Sequence, residues 1–277
     1  MTLFESIILG LIQGLSEFLP ISSSGHLALL QYFFGIEGES VLAFAVLLHL
    51  GTLLSIFAVY YKDIWDLIRE LFATLADLFT GRGLRINANE TRRLGFMIIV
   101  ATIPTGIIGV LFNDLFESMY LSLAAIGTGL LITGTLLWFS EKIGKGRKNV
   151  LNMKFRDAFL VGLFQSVAIT PGISRSGSTI VGGLFSGMKR EIAVRFAFLI
   201  SIPSVLGAVV MEAPSAFKSG IDMSMLTPII IGVAIAAVSG FIAIKTMIRI
   251  VSNKKLYYFS FYTWAVGAIV LIYTFLS

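Results

Sequence analysis

The chain has 277 residues, of which 56% are hydrophobic and 13% charged, with 27 glycines and a mean hydropathy of +0.90. No water-soluble globular domain is composed in this way; the length allows about six to eight helical crossings of roughly 20 residues each and leaves little for a soluble domain. With no cysteine and only two histidines, His26 and His49, disulfides, thiolate catalysis, Cys-ligated zinc or iron–sulfur sites and a His-rich metal centre are all excluded.

The opening Met-Thr-Leu-Phe-Glu has no basic n-region, so no cleaved signal peptide is expected and the mature chain is read as beginning near Met1. The first apolar segment, 4–34, is broken by Leu19-Pro20-Ile-Ser-Ser-Ser-Gly25 into halves too short to span. A full crossing follows at 40–61. The stretch 63–80 sets Lys62, Asp63, Asp66, Arg69, Glu70 and Asp77 among Ile, Leu, Trp and Phe, and reads as an amphipathic surface helix with Asp63 and Asp66 as ordinary surface charges. Crossings follow at 94–113 and 120–139, then a basic loop over 141–156 that suits a topology and lipid-headgroup anchor. The second broken segment, 155–188, is interrupted by Pro171-Gly-Ile-Ser-Arg-Ser-Gly177, and three crossings complete the chain at 192–212, 226–250 and 256–276. Non-helical backbone at membrane depth survives only where protein or a wet cavity satisfies it, so both broken segments are expected to be re-entrant helix-turn-helix units. The fold class is an all-α polytopic membrane protein forming one domain over 1–277.

Six crossings assign every loop to a side. Nineteen of the 21 basic residues fall on one side: six from Lys62 to Arg93, six from Lys142 to Arg156, three from Lys189 to Arg195, and Lys245, Arg249, Lys254 and Lys255. Lys218 lies opposite, with Glu37, Glu39, Asp114, Glu117, Glu212 and Asp222, and Arg175 sits within the second broken segment. The excess of Lys and Arg in inner loops accounts for the net charge of +5 without nucleic acid, and puts both termini outside a cell membrane.

An ungapped shift of 152 positions aligns Gly10-Leu11 with Gly162-Leu163, Gln13 with Gln165, Ile21-Ser22 with Ile173-Ser174, Ser24-Gly25 with Ser176-Gly177, and Phe44-Ala45 with Phe196-Ala197. Combined with the opposed charge topology, this predicts an inverted repeat, 1–140 and 153–277. Such repeats build a ligand site at the bilayer midplane from the ends of discontinuous helices.

The broken segments hold the polarity that is costly in a membrane: Gln13, Glu17, Ser22, Ser23, Ser24 and His26 in the first, and Gln165, Thr170, Ser174, Arg175, Ser176, Ser178 and Thr179 in the second. Gln13 and Glu17 are four apart and share a helix face. Gly25 and Gly177, with Gly172 in the second turn, would let backbone amides approach an anion closely at the helix N-termini. Arg175 supplies a planar fork suited to phosphate. An acid, an imidazole, an arginine and an amide nest describe a phosphoryl-transfer site. Plainer roles compete: single hydroxyls that bond only to the preceding turn, Arg175 as a structural partner of Glu17, and His49 as an interior histidine with no polar neighbour at helical spacing.

Gln13-Gly-Leu-Ser-Glu17-Phe-Leu-Pro-Ile-Ser-Ser-Ser-Gly-His26 and Pro171-Gly-Ile-Ser-Arg175-Ser-Gly-Ser-Thr179 resemble, over the whole chain and in their spacing, the two signatures of the undecaprenyl-diphosphate phosphatase, or bacitracin-resistance, family. The resemblance implies an inverted-repeat membrane enzyme that hydrolyses a polyprenyl diphosphate to the monophosphate and inorganic phosphate. That reaction recycles a cell-wall lipid carrier, depends on a divalent cation such as Mg²⁺ or Ca²⁺, and by the same resemblance takes place at the outer face. By motif match, the implied functional positions are Gln13, Glu17, Ser23, His26, Ser174, Arg175 and Thr179. Where the best-known members have a first Glu, this chain has Gln13; the family pattern tolerates either residue, but an amide binds a hard cation more weakly than a carboxylate. Metal binding would then fall mainly to Glu17 with Gln13.

The expected catalytic set is therefore Glu17, Ser23, His26 and Arg175, with Gln13, Ser22, Ser24, Gly25, Gly172, Ser174, Ser176, Gly177, Thr179 and Gln165 around the diphosphate. Three nucleophiles stay open, in this order: Ser23 with His26 as base, His26 itself, or a water activated by Glu17 and His26. The polyprenyl tail would lie between helices in contact with lipid. A homodimer is compatible with this reading. The competing class is a transporter or flippase of a phosphorylated polyprenyl lipid, because opposed re-entrant segments also build anion sites in carriers; such a protein has less use for Glu17 and His26 beside three serines.

Overall fold

The computed structural model describes residues 2–36, 39–144, 146–218, 226–253 and 255–276, without the side chains of 39–43 and 212–218. Among the described residues there are twelve helices and no strand. In chain order they are α1 Leu3–Phe18, α2 Ser23–Phe34, α3 Glu39–Val59, α4 Tyr61–Phe79, α5 Glu90–Leu111, α6 Asn113–Tyr120, α7 Leu123–Ser140, α8 Phe155–Val167, α9 Arg175–Phe185, α10 Arg190–Lys218, α11 Leu226–Ser252 and α12 Tyr257–Leu276. By length and apolarity, α5, α7, α10, α11 and α12 can each cross a bilayer, and α3 makes a sixth span when taken with α4, from which it is bent by 87°. The sharp bend fits the expected division into a crossing and a surface helix. The short α6 fills the interval between the crossings expected at 94–113 and 120–139, where no helix is expected from the sequence.

On α4, Trp65, Ile68, Phe72, Leu75 and Phe79 are exposed along one face, where they suit the lipid boundary. The opposite face is tied down. Glu70 and Asp77 both bind Arg92 at the start of α5, at 2.9 and 2.7 Å, and Asp63 pairs with Arg195 of α10. Asp63 is thus an anchor of α4 and not the ordinary surface charge expected. The basic loop also has a structural role, since the amides of Arg147 and Lys148 donate to the Gly187 carbonyl and Lys148 Nζ binds Asp157 at 2.7 Å.

Both broken segments are re-entrant in form. α1 opens with a capping box between Thr2 and Glu5 and ends before Pro20, which has no amide to continue the helix. α2 starts on Ser22, whose Oγ accepts from Gly25 N, and α9 starts in the same way on Ser174, whose Oγ accepts from Gly177 N. At 1.5 Å per residue α1 extends about 24 Å, α2 about 18 Å, α8 about 20 Å and α9 about 16 Å. Each half is therefore shorter than a hydrocarbon layer of about 30 Å and cannot cross it alone.

Packing follows the repeat. α1 of the first half lies chiefly on α11 of the second, while α8 of the second lies on α5 of the first; α3 meets α10, and α7 meets α12. The α1–α11 seam depends on small residues: a Cβ on Gly10 would run into the α11 backbone at Gly232, and one on Gly14 into the backbone at Ala236 and Gly240 and the Ser239 hydroxyl. Without a hydrophobic drive between helices in lipid, such close approach is the main source of association.

Candidate active site

The two turns meet each other. Gly25 packs against Gly172 and Gly177 against Pro20, so that a Cβ on either would press on the opposite turn at 3.2 Å. Ser176 Oγ donates to the Leu19 carbonyl at 3.2 Å. Gly172 has φ +86°, a left-handed conformation that favours glycine, and lies against Ile126 and Gly129 of α7. Beyond the close approach of amides expected of them, these glycines let the turns close on one another. The N-termini of α2 and α9 consequently converge, and their first-turn amides and positive dipole ends make the junction favourable for an anion.

Glu17, 8% exposed at the end of α1, is the hub. Its Oε1 accepts from Arg175 Nη2 at 2.7 Å, across the repeat boundary. Its Oε2 accepts from Ser23 Oγ at 2.6 Å and from Gln13 Nε2 at 3.1 Å. His49 Nε2 on α3 stands 3.7 Å from the same oxygen. This corrects the reading of His49 as an interior histidine without a polar neighbour: α1 supplies the neighbour, which helical spacing within α3 cannot reveal. Beside the pair is a cavity of about 10 Å³, roughly one water in size, lined by Glu17, Phe18, Arg175, Ser176, Thr179, Ala197, Phe198 and Ser201. A diphosphate needs side chains to part before it can enter.

His26 is oriented differently from expectation. Its Nδ1 donates to the Ser22 carbonyl at 2.8 Å, and its Nε2 meets Tyr262 Oη of α12 at 2.8 Å, with the two rings stacked at 10°. The pairing of Ser23 with His26 as its base is therefore not the arrangement found: the Ser23 proton points to Glu17. Tyr262 was missed, because one tyrosine in an apolar helix has no pattern to mark it.

Several hydroxyls are engaged locally. Ser22 and Ser174 cap their helices and lie 3.3 and 3.2 Å from Ser24 and Ser176 respectively, while Thr179 Oγ1 donates to the Arg175 and Ser176 carbonyls. Ser22 also holds φ +72°, an unusual and strained conformation for a residue with a Cβ. Gln165, expected beside the substrate, donates instead to Thr105 of α5 and Ser204 of α10, and does not line the cavity.

As for a metal, no group of three or more His, Asp or Glu side chains occurs among the described residues. The donors nonetheless fit one hard ion shared with substrate. Glu17 is a buried carboxylate, and Gln13 Oε1, on a residue with 0% exposure, is without a hydrogen-bond donor.

The fold and junction define a multi-pass membrane protein of two interlocked halves, whose re-entrant turns bring an acid, an arginine and a hydroxyl together. Residues 6–269 match the model of the family described as bacitracin resistance protein BacA, and the chain belongs to that family. It is 52% identical over its full length to an undecaprenyl-diphosphatase of Alkaliphilus metalliredigens, all of which it covers. It is also 42% identical to one of Carboxydothermus hydrogenoformans, with 98% of this chain and 97% of that one aligned. A third undecaprenyl-diphosphatase, from Methanosphaera stadtmanae, is 39% identical, with 98% of this chain and 97% of that one aligned.

Proposed function

We propose that this chain is an undecaprenyl-diphosphate phosphatase, releasing inorganic phosphate and leaving the lipid monophosphate in the membrane. The single observation that supports this most strongly is Glu17 binding Arg175 through one carboxylate oxygen and Ser23 through the other. An incoming diphosphate competes with Glu17 for the Arg175 guanidinium. Once Arg175 turns to the phosphate, the Glu17 carboxylate is left facing the Ser23 hydroxyl and can take its proton. The Ser23 oxygen then bonds to the terminal phosphorus, the anhydride P–O bond breaks, and the lipid monophosphate leaves with its electron pair; water then cleaves the phosphoserine. The α2 and α9 first-turn amides face the charge that builds on the phosphoryl oxygens. His26, held by Ser22 and Tyr262, exchanges a proton with the departing group once its Nε2 parts from the Tyr262 hydroxyl. A divalent cation, when bound by Glu17 and Gln13, neutralises phosphate charge and favours departure of the leaving group.

We read the termini as outside, the active site as opening to the outer face, and the polyprenyl tail as lying between helices against lipid. The charge distribution supports the first point, and the apolar side chains exposed along the helices support the last. The site is complete within one chain, so a homodimer is not needed for turnover. The test is phosphate release from undecaprenyl diphosphate by detergent-purified protein, with and without EDTA. Release that stops with EDTA and returns with Mg²⁺ or Ca²⁺ is expected. A folded protein that binds the lipid and moves it across vesicles, yet releases no phosphate with any metal, would be a carrier.

A further inference from the structure

Deepening that reading, and resting on it, we propose that His49 is a direct ligand of the divalent cation held by Glu17 and Gln13, so that the site takes Mn²⁺-class ions in preference to Ca²⁺. His49 Nδ1 is 2.8 Å from the Ala45 carbonyl, which can only accept, so the ring proton is on Nδ1. In the neutral ring Nε2 then presents a lone pair to Glu17 Oε2, another acceptor, 3.7 Å away. Two lone pairs facing each other at this distance call for a proton or a cation between them.

A proton would satisfy that pair alone. It would leave the buried Gln13 Oε1 without a donor, although the amide nitrogen of the same side chain is fixed on Glu17 Oε2. A cation answers both lone pairs, and Gln13, whose amide nitrogen touches the same Glu17 oxygen, carries a further acceptor without a donor. The separation of 3.7 Å is less than twice the metal–ligand distance of about 2.1 Å, so one ion touches both Glu17 and His49. The bond from Nδ1 to Ala45 is the kind of outer contact that fixes the tautomer and aims a ligating imidazole. An imidazole among oxygen donors shifts preference from Ca²⁺ towards Mn²⁺ and the later divalent metals.

Electron spin-echo modulation of Mn²⁺ bound to the purified full-length protein tests this, with Mn²⁺ and Ca²⁺ affinities measured alongside. The wild type should show ¹⁴N modulation from a coordinated imidazole. His49→Ala and His49→Gln should lose it, and His26→Ala should keep it. Mn²⁺ affinity should fall by at least on the order of tenfold in His49→Ala, with a smaller fall for Ca²⁺. Bound Mn²⁺ without ¹⁴N modulation in the wild type, or modulation that persists in both His49 variants, overturns the proposal. If phosphate release by the same preparation is metal-dependent, only the ligand assignment has failed. If no phosphate is released under any metal, the phosphatase reading has failed too.

Discussion

The Glu17 carboxylate accepts from Arg175, Ser23 and Gln13 at once; Glu17→Gln keeps its size but removes the charge, one acceptor oxygen and the capacity to take a proton, so it is expected to lower kcat by about 10²–10⁴-fold while the protein stays folded. Ser23→Ala should remove turnover to a similar degree if the serine is the nucleophile. Acid quench of the wild type with terminally labelled substrate should then trap a phosphoserine, whereas wild-type turnover of Ser23→Ala would assign attack to water. Tyr262→Phe keeps the ring stacked on His26 but deletes its hydroxyl; a loss of about two- to tenfold in kcat/KM is expected, as for one hydrogen bond. Glu17, Ser23, His26 and Arg175 were legible because ionisable or reactive groups in an apolar segment need a reason. His49 and Tyr262 were not, since their partners lie on α1 and α2 and only tertiary packing brings them together. The glycines of the turns were legible as places of close backbone approach, but their packing of one turn against the other was not, since it depends on tertiary fit.

At the scale of the helices, the α1–α11 seam holds Glu17 at its depth. Gly14→Ala, which drives a methyl into Ala236 and Ser239, should destabilise the protein by about 1–3 kcal/mol, while Gly106→Ala, with open space around it, should not; thermal unfolding in detergent reads both. The α4–α5 clasp is pH-dependent. The hydrogen bond from Arg92 holds the Asp77 carboxyl below the usual carboxylate range. A depressed value in the folded state means stability that is fully present above the ordinary value of about 3.9 and is lost as pH falls through the folded one. Asp77→Asn should accordingly lower the unfolding midpoint at pH 7, with the gap to wild type closing towards pH 3; a gap constant with pH would contradict the assignment. The α3–α4 bend and the surface helix were readable from the change of apolar pattern and charge. The α6 helix was not, because eight residues between two spans carry too little periodicity to separate a helix from a loop.

Across the whole molecule, the offset of 152 residues reappears as two interlocked halves, each packing its entry helix on the other's core. The repeat was legible as matched motifs, but the exchange of α1 and α8 between halves was not, since it depends on long-range fit. The charge asymmetry predicts that a Cys introduced at Lys148 reacts with a membrane-impermeant reagent only after permeabilisation, and a site open to the outer face, as the family resemblance implies, predicts that one at Ser24 reacts from outside; the reverse pattern would contradict both. The central claim is that the two re-entrant turns form one site through Glu17 and Arg175. The most direct test is a double-mutant cycle on phosphate release with Glu17→Gln, Arg175→Lys and the double variant. Residues acting as a unit give a double variant scarcely worse than the poorer single one. Losses that multiply, or single variants that keep wild-type turnover, would contradict the claim.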